Sequence, residues 1–491
     1  ARTLLGAVPD SLLLGQVEAA REEFEHELAV ADRAVSSAVT LSRALPAFLG
    51  ETGARRYFFG AQNPAELRGT GGYIGAYAIM TVRNGRVSLS PFASTETLDN
   101  VPPSKVQAPN PSYAVRYDRY GGAGFWPNIN LTPDFPSAAV AIERLYEETT
   151  GERVDGTIVA NPQALAALLE TTGPVGVPGT ATSVDSETLV PFVTNEAYET
   201  IDDSEARKRL LGDAARAVLG AFLDGGLGDV TSAGRAVAEA AAGGHLLLHA
   251  SDPELQETFE EVGVAGELGG SGTDFLGVIG NSAAGNKVDF YARRTVRHSV
   301  SLTAEGGATS RTLVSITNGA PDTGQPAYVI GPYPPLSKAG ENITYLSAFC
   351  GSPCSLTRFV QGGNESMPAS EVEIGFPVYS TTIRLPSGES KSAAFSWQIH
   401  DAWAGTRDRG SYRLVFRDQP TIHATRLTLE VTSPPGTHIT HTRPEMEVTD
   451  DRAVWEGASG TEAVFEVEFE APFISRIWRS ILRFLSGPIF G

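Results

Sequence analysis

Arg68 stands in a run of small and polar residues, Gln62-Asn63-Pro64-Ala65-Glu66-Leu67-Arg68-Gly69-Thr70-Gly71-Gly72. A guanidinium grips phosphate or carboxylate through paired N–H bonds, and bare glycine backbone adds further donors. The turn is therefore a candidate anion cradle. The competing reading is a surface arginine in a turn whose glycines serve tight geometry. Glu66 lies two residues earlier, so on extended backbone it points to the same side as Arg68. It is a candidate acid/base, or simply an ion-pair partner.

Asp134, in Thr132-Pro133-Asp134-Phe135-Pro136, has its backbone fixed by prolines. Catalysis competes there with helix capping. Glu96 and Asp99 follow a hairpin at the edge where the Arg68 turn should emerge. They offer further carboxylates, against the commoner solvated loop acid. Asn128 and Asn130 suit sugar hydroxyls or phosphate. Trp126 and Tyr120 offer ring faces to sugars, or ordinary loop packing. Arg207 and Lys208 sit near a helix start after Asp203, a place that suits an anion or plain helix-surface pairs.

Other patterns lead away from metals and nucleotides. His245 and His249 have i, i+4 spacing but lack the glutamate of a zinc-protease helix, and no metal site is assigned. His438 and His441 fall in a region rich in threonine and proline. No phosphate-binding nucleotide loop is present. Cys350 and Cys354 are separated by Gly-Ser-Pro. They are either idle thiols or, the preferred reading, a local disulfide, because zinc needs two more ligands. A disulfide implies an oxidising, extracytoplasmic setting.

These residues need a framework. A chain of 491 residues, 41% hydrophobic, should form two or three domains. Its net charge of -20 argues against nucleic acid as a partner. Residues 1–50 read as a helical segment. Residues 51–290 read as an α/β catalytic domain, a mixed sheet flanked by helices. Strands are expected over 56–60, 73–82, 86–92 and 154–160, with Asn84-Gly85 as a hairpin turn. Asn161-Pro162 opens a helix, and helices follow over 186–198 and 204–223. The stretch 225–272 reads as helical with loops. Residues 291–472 alternate as paired strands and suit a β-sandwich-like domain. The segment 473–491 is a basic amphipathic helix, suited to a membrane surface or to docking on its own domain. No leader or membrane span is read, and the helical opening at Ala1 fits numbering that begins after a removed anchor.

Several phrases are distinctive together: Gln62 to Gly75, Leu131 to Pro136, Val154-Asp155-Gly156 with Asn161-Pro162, Thr172 to Val175, and Asn286-Lys287-Val288-Asp289-Phe290-Tyr291. In this order they resemble the bacterial family of unknown function 4012, over roughly residues 50–330. More distantly, the order of elements is similar to the LytR–CpsA–Psr family, which transfers glycopolymers from a polyprenyl-pyrophosphate carrier to the bacterial wall. That likeness implies roles for Arg68, for Asn130 or Asn128, and for Arg207 with Arg209. The acids that family carries beside its arginine are replaced here by Gln62-Asn63 and Gly69-Thr70-Gly71.

Three functions follow as expectations. One is an extracytoplasmic enzyme modifying an envelope polysaccharide or lipid-linked glycan, with Arg68 and Arg207 on a pyrophosphate and Asp134 or Glu66 moving a proton. No particular cofactor is implied, and a divalent metal such as magnesium is compatible with it. Another is a glycoside hydrolase with paired carboxylates among Glu66, Glu96, Asp99 and Asp134. The third is a non-catalytic envelope assembly or glycan-binding protein.

Overall fold

The computed structural model describes residues 39–40, 42–201, 203–225, 230–269, 274–351 and 353–472. Residues 42–48 are helical. The remainder of the expected N-terminal helix, up to residue 38, and the basic segment 473–491 lie outside the described residues.

The first lobe is α/β. Strand β1 (Arg55–Asn63) pairs antiparallel with β2 (Tyr73–Arg83) and parallel with β5 (Gly156–Ala160). Strand β3 (Arg86–Leu89) returns from β2 through Asn84 and Gly85, at φ 49° and 76°. That is the left-handed pair a two-residue hairpin requires. Strand β4 (Ala93–Ser94) also pairs with β2, and β6 (Val175–Gly176) with β7 (Ser183–Val184) forms a separate small ladder. Strand β8 (Leu246–Ala250) closes the far edge, giving the order β3-β2-β1-β5-β8.

Helices α1 (Pro111–Tyr117) and α2 (Phe135–Thr150) cover one face. Helices α3 (Pro162–Thr172), α4 (Ser204–Gly225) and α5 (Val230–Ala242) lie on the other, and α6 (Pro253–Glu261) packs beside β8. Strand alternation explains the layering. Phe58 enters the core under α2 with Trp126 and Tyr146, while Tyr57 and Phe59 enter the opposite core with Ala164 and Ala240. Strand β5 is buried along its whole length, as a strand covered on both faces must be. Asn161 caps α3, its Oδ1 accepting from the amides of Gln163 and Ala164, with Pro162 at the first helical position.

The strand at Leu246–Ala250 lies where the sequence reads helical. A short apolar run fits either element, and pairing with β5 decides it.

The second lobe is a β-sandwich of two eight-stranded sheets. Val296, Val300, Leu346, Phe395, Leu414 and Phe465 belong to its shared core. It begins at β9 (Asp274–Ser282), earlier than the expected residue 291, because β9 is an interior strand between Asn342–Cys350 and Arg409–Arg417. Cys350 and Cys354 form a disulfide. It joins the end of Asn342–Cys350 in one sheet to the start of Cys354–Gln361 in the other.

A buried polar seam ties the lobes together. Glu373 of the sandwich is 1% exposed. It accepts from Thr132 Oγ1 at 2.5 Å and Tyr117 OH at 2.8 Å, and lies 2.8 Å from Arg116 Nε. Arg116 also reaches Glu371 at 3.0 Å. Removing one partner from such a seam leaves a buried charge uncompensated and costs about 3–5 kcal/mol.

Asp274 sets a pH dependence. Its Oδ2 accepts from Tyr412 OH at 2.8 Å and its Oδ1 from the Phe275 amide at 2.7 Å. Burial nevertheless dominates and pushes its carboxyl up to about 6. The folded state therefore holds this proton more tightly than the unfolded chain. Its stabilising contribution is complete below the ordinary carboxylate range and is lost as pH rises through about 6. Urea unfolding across that range should show stability falling by about 2–3 kcal/mol in the native protein from this group. Asp274→Asn should remove that slope; identical slopes in both proteins refute the assignment.

Candidate functional site

Internal hydrogen bonds give Arg68 a different task from the expected anion grip. It is 5% exposed. Its Nε donates to Pro127 O at 2.9 Å, its Nη1 to Leu67 O at 2.9 Å and Ser282 O at 3.4 Å, and its Nη2 to Glu66 Oε1 at 3.2 Å. All three guanidinium nitrogens are thus used inside the protein. The neighbouring glycines permit close packing rather than cradling an anion. A Cβ on Gly69 would meet Leu131 O at 2.3 Å, and one on Gly72 would meet the Asn63 carbonyl carbon at 2.5 Å. Gly71, at φ 120°, lies against Pro420 of the sandwich.

Other expected site residues are also structural. Asp134 caps α2: its Oδ2 accepts from the Ser137 amide at 3.0 Å and Ser137 Oγ at 2.5 Å, and its Oδ1 accepts from the Leu268 amide at 2.8 Å. Trp126 is 1% exposed, stacked on Phe58, and donates to Asp99 O, so it has no face for a sugar. Asn130 is buried and donates to Thr70 Oγ1 and Gly72 O, each at 2.8 Å. Asn128 donates to Tyr120 O at 2.8 Å. Neither asparagine lines the cleft described next.

That cleft holds about 320 Å³ and lies between β1, β2, α4 and the helical stretch 189–200. Its interior is apolar, formed by Phe92, Leu165, Leu189, Val193, Leu211 and Ala215. Its polar wall carries Arg207, Lys208, Arg209 and Lys287, with Glu96 opposite. Three of these cations come from one turn of α4, which begins at Ser204. The helical stretch contains a π-helical turn over Phe192–Glu196, a feature frequent at functional sites.

Four groups organise the polar wall. The rings of Tyr198 and Tyr328 are stacked, with centroids 5.6 Å apart and planes 14° apart. The Arg207 guanidinium carbon lies 4.9 Å from the first ring centroid and 4.8 Å from the second. Lys287 Nζ lies 5.0 and 5.1 Å from the same two centroids. Ring faces attract cations at these distances. Arg207 also donates to Ile201 O at 2.7 Å. Lys287 lies 3.6 Å from Glu66 Oε2, so Glu66 supports it from behind the wall. Burial opposes the charge on Lys287, but Tyr198, Tyr328, Glu66 and Tyr73 outweigh it and hold the ammonium above the usual lysine range. Lys208 bonds Glu96 Oε2 at 2.6 Å across the rim.

Of the residues singled out by sequence, Glu96, Arg207, Lys208 and Arg209 line this cleft together. Sequence reasoning missed Lys287, Tyr198 and Tyr328. The available signal was Lys287 within the distinctive Asn286–Tyr291 phrase of a chain poor in lysine. Among the described residues, no cluster of three or more His, Cys, Asp or Glu side chains could hold a metal. His249 Nδ1 faces Glu143 Oε1 at 2.8 Å, and His245 Nδ1 faces Asn161 Nδ2 at 2.9 Å.

Residues 52–198 match the profile of a family described as "Protein of unknown function (DUF4012)". The chain is similar to that family over this segment. The DUF4012 segment supplies Tyr73, Glu96 and Tyr198, while Arg207, Lys287 and Tyr328 lie beyond it. No curated protein matches the chain. Among solved structures, a nutrient-binding protein from Legionella pneumophila, so described provisionally, is 8% identical, covering 44% of this chain and 77% of its own, at a TM-score of 0.26. A Streptococcus agalactiae protein is 14% identical, covering 44% and 75%, at 0.27. An M1 zinc metallopeptidase from Deinococcus radiodurans is 7% identical, covering 36% and 41%, at 0.19.

The geometry separates strut from site. Arg68→Met leaves three carbonyls and Glu66 without their donor and should lower unfolding stability by about 2–4 kcal/mol. Arg209→Met, at an exposed position, should change it by less than about 0.5 kcal/mol. Chemical denaturation of the two variants compares them, and equal midpoints contradict the strut role.

Proposed function

We propose that the cleft binds an anionic amphiphile, and that the protein is an extracytoplasmic enzyme acting on a lipid-phosphate-linked envelope glycan. One observation carries this reading: an apolar interior and four basic side chains share one cavity. The apolar part favours a hydrocarbon chain at about 25 cal/mol per Å² removed from water. The basic part suits a phosphate or diphosphate head. A cavity of about 320 Å³ has the size of a small-ligand pocket.

In this reading Arg207 and Lys287 hold phosphate oxygens and neutralise charge that grows during transfer. Glu96 is the rim carboxylate available to take a proton from an acceptor hydroxyl. For a diphosphate-linked glycan, the acceptor oxygen forms a bond to the glycan-bearing phosphorus. The bridging P–O bond breaks, and the lipid leaves as its monophosphate. The likeness to LytR–CpsA–Psr transferases in order of elements agrees with this assignment, and the Cys350–Cys354 disulfide agrees with an oxidising compartment. A hydrolase needs two facing carboxylates. Of Glu66, Glu96, Asp99 and Asp134, Glu96 alone lines the cleft, so transfer or binding is favoured over hydrolysis.

Titration calorimetry with farnesyl diphosphate tests the reading. Binding should weaken as salt is raised, and Arg207→Leu should weaken it at least about tenfold, a loss of about 1.4 kcal/mol. Circular dichroism checks that the variant is folded. No binding by the native protein, or binding indifferent to Arg207→Leu, overturns it.

A further inference from the structure

The second lobe also lines the cleft. Tyr328 belongs to the short helical turn Ala327–Ile330, in the long connection between strands Ala308–Asn318 and Asn342–Cys350 of the sandwich. The connection is held firmly. The Lys287 amide donates to Val329 O at 2.8 Å, and Gln325 Nε2 donates to Glu199 Oε1 at 2.9 Å. Val329 and Ile330 are buried in one small core with Tyr198 and Val288. Tyr328 is therefore preset by both lobes.

Its exposure is nevertheless 40%, whereas its stacking partner Tyr198 is 8% exposed. A large ring fixed this firmly and left this open is a surface awaiting a partner. It stands beside the cations of the cleft wall. Tyr333 of the same connection is half-buried close by. Burial raises its hydroxyl above the usual tyrosine range, Tyr328 and Glu66 add to this, and Lys287 opposes it. The polar wall thus combines cations with tyrosines from both lobes.

We propose that Tyr328 forms a sugar subsite, stacking on the first pyranose ring attached to the phosphate of the bound ligand. This inference rests on the reading of the cleft as a lipid-phosphate site and adds the glycosyl unit to it. The apolar face of a sugar ring packs on an aromatic face as other apolar groups do. A phosphate held by Arg207 and Lys287 places the next ring of the ligand beside Tyr328, whose centroid is 4.8 Å from Arg207 and 5.1 Å from Lys287. The sandwich lobe, on this view, selects glycosylated over bare lipid phosphates.

The test uses the full chain and two ligands, farnesyl diphosphate and the same lipid carrying one N-acetylglucosamine on its diphosphate. The native protein should bind the glycosylated ligand about five- to tenfold more tightly, the range expected of one ring stack. Tyr328→Leu should remove that preference, weakening the glycosylated ligand about five- to tenfold more than the bare lipid. Tyr328→Phe, which keeps the ring, should retain the preference. Equal loss for both ligands in Tyr328→Leu assigns the ring to the cations instead and overturns the subsite. So does a native protein that binds both ligands equally. Failure to bind either ligand overturns the underlying reading of the cleft and the subsite with it. Melting curves of each variant separate these outcomes from misfolding.

Discussion

The arrangement depends on the polar seam between the lobes. A sandwich and an α/β sheet each bury their own apolar residues, but the cleft exists only while the two are held in one relation. Glu373 supplies one end of that hold, through Thr132, Tyr117 and Arg116. Gln419 supplies another: its Nε2 donates to Arg68 O and Gly280 O, both at 2.8 Å, and its Oε1 accepts from the Gly280 amide. Polar contacts at such a junction demand a single geometry, because any other leaves donors or charges unsatisfied in a dry interior. Apolar contact alone would permit sliding. The glycine-rich turn meets this seam where Arg68 O accepts from Gln419 and Gly71 lies against Pro420.

The cleft follows from that fixed relation. Its apolar interior and its α4 cations come from the first lobe, Lys287 comes from the short 3-10 region between β9 and the next strand, and Tyr328 comes from the sandwich. Glu66 links the two features, with one oxygen on Arg68 and the other near Lys287. The strut and the site therefore share one carboxylate. A turn outside the cleft thus bears on the charge inside it.

Local signals were legible and distant ones were not. The Asn84-Gly85 hairpin and the Asn161 cap are readable because the residue at the turn or helix start supplies the geometry itself. The alternating strands of the sandwich are readable for the same reason, and the Cys350–Cys354 pair because its loop is short. Arg207, Lys208 and Glu96 stand out as polar residues beside a helix start and a hairpin end. Their meeting across one cleft is not written in either stretch. Arg68 shows the limit most clearly. A glycine-rich turn reads the same whether it faces solvent or another lobe, and its partner Gln419 lies 351 residues away. Tyr328 sits among prolines and glycine with no periodicity, and only folding brings it onto Tyr198. The strand Leu246–Ala250 needed β5 beside it before its apolar run had one meaning.

The ring-held cations have a consequence for kinetics. A carboxylate that steadies an arginine also cancels its field, whereas a tyrosine face steadies it and leaves the net charge intact. Among the described residues, Arg207 has no carboxylate partner, and its charge rests on two rings and one carbonyl. On a chain whose overall charge is -20, such a spot is a local reversal of sign. It draws anions across a distance of about one Debye length, about 8–10 Å at ordinary salt. On the proposed reading of the cleft, part of its selectivity is exercised during approach, before any ligand atom touches a side chain.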